Sequence, residues 1–128
     1  VRSKTSPTAA QKRVHQALRD LGSPIKGNYG ASVQLHHIFG RTAKHNKVDI
    51  GHWAVLVLPF ELHDVSSGDP LNVTHCKKAF EREFGMQKDL CVLRYKLLDF
   101  MVAMGSIDLS PDDLPGKEVI CAISSYTK

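Results

Sequence analysis

The chain has 128 residues, 42% of them hydrophobic, and a formal net charge of +4, enough for one core and too little for two ordinary domains. No apolar run reaches the roughly 18 residues of a membrane span and the N-terminus lacks the apolar region of a signal peptide, so no membrane partner and a cytoplasmic location are expected. Three cysteines, Cys76, Cys91 and Cys121, none in a Cys-x-x-Cys pair, exclude a disulfide framework and a paired-cysteine zinc knuckle and read as reduced core thiols. The chain begins at Val1 instead of a methionine, which leaves room for trimming or an upstream segment.

In chain order, Ser6-Pro7 opens a helix over residues 7–21, with Ala10, Val14, Ala17, Leu18 and Leu21 at helical spacing and Gly22 at its end. His15 lies in this helix beside Val14 and is read as packed or solvent-facing, outside any site. Residues 22–30 are rich in glycine, proline and asparagine and form a loop. Residues 32–38 then form a strand with Val33, Leu35 and His37 on one face and Gln34, His36 and Ile38 on the other. The adjacent histidines therefore point in opposite directions, and a bulge or twist is needed to aim both at one substrate. Residues 39–51 are a polar loop carrying Arg41, Lys44, His45 and Lys47, read as a phosphate-contacting segment or a solvated hairpin tip.

Trp53 opens an apolar strand over residues 53–58, stopped by Pro59 and paired with the first strand across the long loop. A short helix over residues 60–65 follows, broken by residues 66–70. Asn72 or Thr74 caps the next helix, whose apolar stripe is Val73, Cys76, Phe80 and Phe84, ended by Gly85. The longest helix spans residues 87–104, with Leu90, Leu93, Leu97, Met101 and Met104 expected in the core. Residues 106–128 read as an irregular acidic tail, in which residues 118–124 add a strand. The expectation is a small, mostly helical α+β single domain over residues 1–128, with its core in residues 32–104.

Two further patterns bear on function. Residues 1–60 hold nine Lys/Arg against two Asp/Glu, and residues 61–128 hold eight against eleven. A basic front half points to a polyanion, most often nucleic acid. Seven histidines against one tryptophan exceed what packing asks for, and imidazole is both the usual metal ligand and the usual base near neutral pH. His36-His37, His45, His52, His63 and His75 concentrate in the middle third.

The runs LHHIFGRT (residues 35–42), GHWAVLVLP (51–59) and THCKKAFEREFG (74–85) resemble the ββα-metal nucleases of the HNH (His-Me finger) superfamily, and more narrowly phage recombination-enhancement (Ref)-type nucleases, over about residues 33–100. The resemblance implies a ββα-metal core with flanking helices and a phage-linked, metal-dependent DNA endonuclease acting by a one-metal mechanism. It implies His36 as metal ligand, His37 as general base, His63 and His75 as the remaining ligands, and His52 in the place of the motif's central asparagine, orienting the base. The long spacing from His52 to His63 leaves His52, His63 and Asp64 able to exchange roles. The paired cysteines that many relatives carry near residues 60–63 are absent, so the structural zinc of those relatives is not expected.

The implied cofactor is a divalent cation, Mg2+ or Mn2+ for activity with Zn2+ as an option at the histidines. The implied partner is DNA, single- or double-stranded, and a recombinase filament is a further candidate. Hydrolysis of a phosphodiester needs an activated water, a positive centre at the phosphoryl oxygens and a stabilised leaving oxygen. His37 meets the first need and the cation the others, with Arg41 placed to hold the adjacent phosphate bidentately. Lys44, Lys47, Lys12 and Arg13 are expected to track the backbone. The competing readings are a nucleic-acid-binding module of the same fold without cleavage, and a structural zinc protein stapled by its histidines and Cys76.

Overall fold

Strand alternation and the burial of one central strand organise the molecule. In the computed structural model, which describes residues 6–25, 29 and 32–126, β1 (Val33–His37) pairs antiparallel with β4 (Val55–Pro59). The register sets Leu35 opposite Val57, His36 opposite Leu56 and His37 opposite Val55. Every residue of β4 is buried, whereas β1 is half-buried throughout. A run of Val and Leu with no polar position suits a strand covered on both faces. Pro59, without an N–H to donate, ends the ladder.

The expected basic loop holds a second, two-stranded sheet of β2 (Lys44–His45) and β3 (Val48–Asp49). Asn46 and Lys47 form its turn at φ 50° and 68°, the positive pair that a tight two-residue hairpin requires. The neck of this hairpin is closed by the Ala43 carbonyl, which accepts from the N–H groups of Ile50 (3.0 Å) and Gly51 (3.1 Å). A Cβ at residue 51 would lie 2.0 Å from the Arg41 carbonyl oxygen, so only glycine allows this closure.

Helix α1 (Ala9–Leu21) starts later than residues 6–7 imply. Thr8 caps it, with a reciprocal capping box to Gln11, a stronger start than Ser6 because two otherwise orphaned N–H groups are satisfied at once. Its buried face is Gln11, Val14, His15, Ala17 and Leu18. Gly22, at φ 81°, stops it as expected. Of the loop expected over residues 22–30, residues 26–28 and 30 lie outside the described residues, as do residues 127–128 at the end of the expected tail.

After β4 come α2 (Phe60–His63), α3 (Lys77–Phe84) and α4 (Gln87–Ala103), then a 3₁₀ turn (Pro111–Asp113) and α5 (Lys117–Ser125). Leu56, Leu58, Leu62, Phe80, Leu98 and Ile123 are almost fully buried together, each worth about 1.5–3 kcal/mol relative to exposure. The result is a small single-domain α+β fold in which two-stranded antiparallel sheets pack against helices. Among the described residues no helix is long and apolar enough to cross a membrane.

Four expectations are corrected. Residues 118–124 are helical, because the run Val119 to Ile123 buries Ala122 and Ile123 by helical spacing and a short apolar run alone does not distinguish helix from strand. The tail is thus only partly irregular. The expected core face of α4 is turned outward, with Leu93 59%, Leu97 38% and Met104 66% exposed. Its buried side is Gln87, Cys91, Tyr95 and Leu98, selected by the Tyr95 hydroxyl, which donates to the Trp53 carbonyl at 2.5 Å. Neither Asn72 nor Thr74 caps α3; Asn72 Oδ1 instead accepts from the N–H groups of Thr74 and His75 and shapes the turn before it. Of the three thiols, only Cys91 is a core residue, and burial pushes it up to about 12.

Candidate active site

Strand β1 divides the histidines into two groups. On one side lies His37, whose Nε2 is 3.0 Å from His52 Nδ1, with ring centroids 5.1 Å apart. One nitrogen donates and the other accepts. His15 completes the group: its Nε2–H donates to the His52 carbonyl at 2.6 Å, and its ring stands edge-on to His37 at 6.1 Å. His15 is 4% exposed, the packed alternative of its two readings, and through this bond it positions His52. Its burial beside Val14 was legible, but its partner is a backbone carbonyl 37 residues away, which no local pattern indicates.

The turn carrying His52 is gripped from both sides. His15 holds the His52 carbonyl from α1, and Tyr95 holds the next carbonyl, that of Trp53, from α4. Burial pushes His37 down to about 4, helped by electrostatic repulsion between its protonated form and His52, His15 and Arg41. Burial likewise depresses His15. His37 is accordingly a neutral imidazole at pH 7, able to accept a proton.

On the other side of β1, His36 and His63 face each other with ring centroids 5.0 Å apart and planes tilted by 60°. The His36 Nε2–H donates to Gln87 Oε1 at 2.8 Å, and the His63 Nδ1–H donates to Gln34 Oε1 at 2.5 Å. Burial pushes His36 down to about 4 and also lowers His63, so both rings are neutral at pH 7. His63 is presented by α2, whose end is held by Asn72, fully buried, donating to the carbonyls of Glu61 and Asp64. The Thr74 hydroxyl donates to the His63 carbonyl at 2.8 Å.

Two imidazoles bound to one ion at about 2.1 Å from each nitrogen have centroids roughly 4.5–5.2 Å apart, and the observed 5.0 Å falls in that range. His36 and His63 thus fit as two ligands. His75 does not join them: its Nε2–H donates to the Val65 carbonyl at 2.9 Å, and among the described residues no set of three His, Cys, Asp or Glu side chains is gathered as a metal cage. Asp64 is held by Ser66, whose N–H and hydroxyl both donate to it, and by Gln34. These bonds keep its carboxyl below the usual carboxylate range.

A cleft of about 220 Å³ opens beside His52, between Thr8 and Gln11 on one wall and Arg41 and Lys44 on the other. Two larger depressions, about 540 Å³ near Arg13 and Met101 and about 270 Å³ near Tyr95 and Cys121, are lined by no histidine, and one of about 230 Å³ beside α5 is lined by His45. Arg41, Lys44 and Lys47 are exposed, with Lys44 3.6 Å from Asp49 across the small hairpin. Lys12 is also exposed. Arg13 is engaged elsewhere, in a two-bond pair with Asp113 at 2.8 and 3.0 Å. His45 stacks edge-on against Tyr126 at 5.9 Å, away from both groups. Comparisons with protein-family models, with curated proteins and with solved structures found no match.

Proposed function

We propose that the protein is a metal-dependent DNA endonuclease of the ββα-metal (His-Me finger) type, hydrolysing phosphodiester bonds in phage-linked DNA processing. The observation that carries this reading is the division of four imidazoles across one strand. A directly bonded pair, His37–His52, lies one residue along β1 from a facing pair, His36–His63. The order of β1, long loop, β4 and α2 supports it.

In this reading His37 takes the proton of the attacking water. Its depressed basicity is offset when an anionic phosphodiester lies beside it, since a negative neighbour favours the protonated ring. His52 orients His37 through the nitrogen–nitrogen bond, and Arg41 and Lys44 line the cleft in which the phosphate backbone sits. His36 and His63 would hold the divalent cation, which when bound would neutralise charge on the phosphoryl oxygens and the departing oxygen; the register of β1 with β4 has no bulge, so strand twist must bring that cation to the phosphodiester His37 serves. Two imidazoles favour Zn2+ or Mn2+ over Mg2+, which prefers oxygen ligands and retained waters. A structural zinc staple would need a closed set of four ligands, and the side chains gathered here supply two.

Nicking of supercoiled plasmid with Mn2+, Zn2+ or Mg2+, against a chelator control, tests the proposal. Cleavage that requires an added cation is expected. DNA binding with no cleavage under any of the three would replace the nuclease by a binding module of the same fold.

A further inference from the structure

The amide orientations beside the facing pair are fixed by carboxylates. Gln34 Nε2 donates to Asp64 Oδ1 at 3.2 Å, and Gln87 Nε2 donates to Glu81 Oε2 at 3.4 Å. A carboxylate only accepts, so each glutamine must turn its NH2 group to the acid and its oxygen to the histidine. An amide oxygen also only accepts, so the facing ring nitrogen must carry the hydrogen: Nδ1 in His63 and Nε2 in His36. A neutral imidazole has one N–H, which leaves lone pairs on Nε2 of His63 and Nδ1 of His36.

We infer that Gln34 and Gln87, each aimed by a carboxylate (Asp64 and Glu81), are positioning residues that lock His63 and His36 into opposite tautomers and thereby present two lone pairs to one transition-metal cation. The inference rests on the metal site proposed above and names what sets its ligand geometry. Two unlike tautomers are needed because the rings arrive from different directions, His36 from a strand and His63 from the end of a helix. His63 is held in the Nδ1–H form, the less populated one for a histidine side chain free in water, so the arrangement has a spectroscopic signature. Outer hydrogen bonds of this kind typically change metal affinity by about 10–100-fold when removed.

The test is two-bond proton–nitrogen correlation NMR on the whole, metal-free protein with labelled histidine at pH 7.5, followed by Zn2+ titration by calorimetry. In the unsubstituted protein His63 should show a protonated Nδ1 and His36 a protonated Nε2, and Zn2+ should shift the unprotonated nitrogen of each. Gln34→Leu should return His63 to the Nε2–H form and weaken Zn2+ binding about 10–100-fold, while Gln34→Glu, which keeps an acceptor there, should restore the tautomer. Gln87→Leu should weaken Zn2+ binding by a similar factor while leaving His36 in the Nε2–H form it already favours in water. An Nε2–H His63 in the unsubstituted protein overturns the inference without any variant, as does a Gln34→Leu protein with unchanged tautomer and affinity. If the tautomers and Zn2+ binding are as described but plasmid is never nicked, the positioning role stands and the nuclease reading falls. Metal-dependent nicking with affinity indifferent to both glutamines has the opposite meaning.

Discussion

On one side of β1 the rings of His37 and His52 share a hydrogen bond, whereas on the other the rings of His36 and His63, at nearly the same separation, each donate to a glutamine. The first pair keeps its proton between two nitrogens. The second turns the N–H of each ring to a glutamine and leaves the other nitrogen of each ring without a proton. One residue type at one spacing thus yields a pair whose rings bond each other or a pair whose rings bond outward, according to what lies behind each ring. The strand separates them because successive side chains point to opposite faces.

The sharpest way to break this contrast is His37→Ala. Cleavage should fall by about 10²–10⁴-fold while Zn2+ affinity and folding persist, read by single-turnover nicking and calorimetry. If His37→Ala loses the metal and His36→Ala keeps it, the two faces have been assigned the wrong way round. Next in size, His36→Ala or His63→Ala should cost more Zn2+ affinity than the roughly 10–100-fold expected for an outer partner. His75→Ala, bonded to Val65 instead, should leave calorimetric affinity unchanged.

Acid should weaken both faces together. His36 and His37 titrate at 6.5 in the unfolded chain and at about 4 when folded, so below pH 6.5 the unfolded state holds more protons. Stability should therefore fall as pH drops from 6.5 through about 4, and these groups should contribute no slope above that window. Urea midpoints measured between pH 4.5 and 7.5 test this, and a flat profile would mean the rings are not desolvated. The smallest effect belongs to the hairpin tip. Reversing Lys44 and Lys47 to glutamate should reduce the salt slope of DNA binding by about one unit per lost phosphate contact, with metal affinity unaltered. An unchanged slope would place the DNA path elsewhere.

The sequence showed the paired strands, α2 and the opposed directions of His36 and His37, since these follow from period-two alternation and the stop at Pro59. It misjudged α4 and α5. The exposed side of α4 is as apolar as its buried side, so periodicity could not choose between them and the Tyr95 bond to Trp53 did. His15, Gln34 and Gln87 were not readable as site residues. Their partners lie 37, 29 and 51 residues away, and glutamine has no spacing rule that announces an imidazole. His75 shows the reverse error: a histidine near His63 in sequence is spent on a local carbonyl.

The neck at Ala43 and Gly51 ties the two ends of the hairpin to each other, while His45 packs on Tyr126. Because the residue before His52 admits no side chain, changes of length or charge at the tip, Asn46 and Lys47, are absorbed above the tie, whereas Lys44 and Asp49 line the cleft beside His52. Insertion of a longer, more basic tip should alter which nucleic acid is held while leaving the reaction intact. Gly51→Ala should do the reverse, shifting Arg41 against His52 with the tip unaltered. Substrate preference and chemistry are in this sense separately mutable, with one glycine as the seam between them.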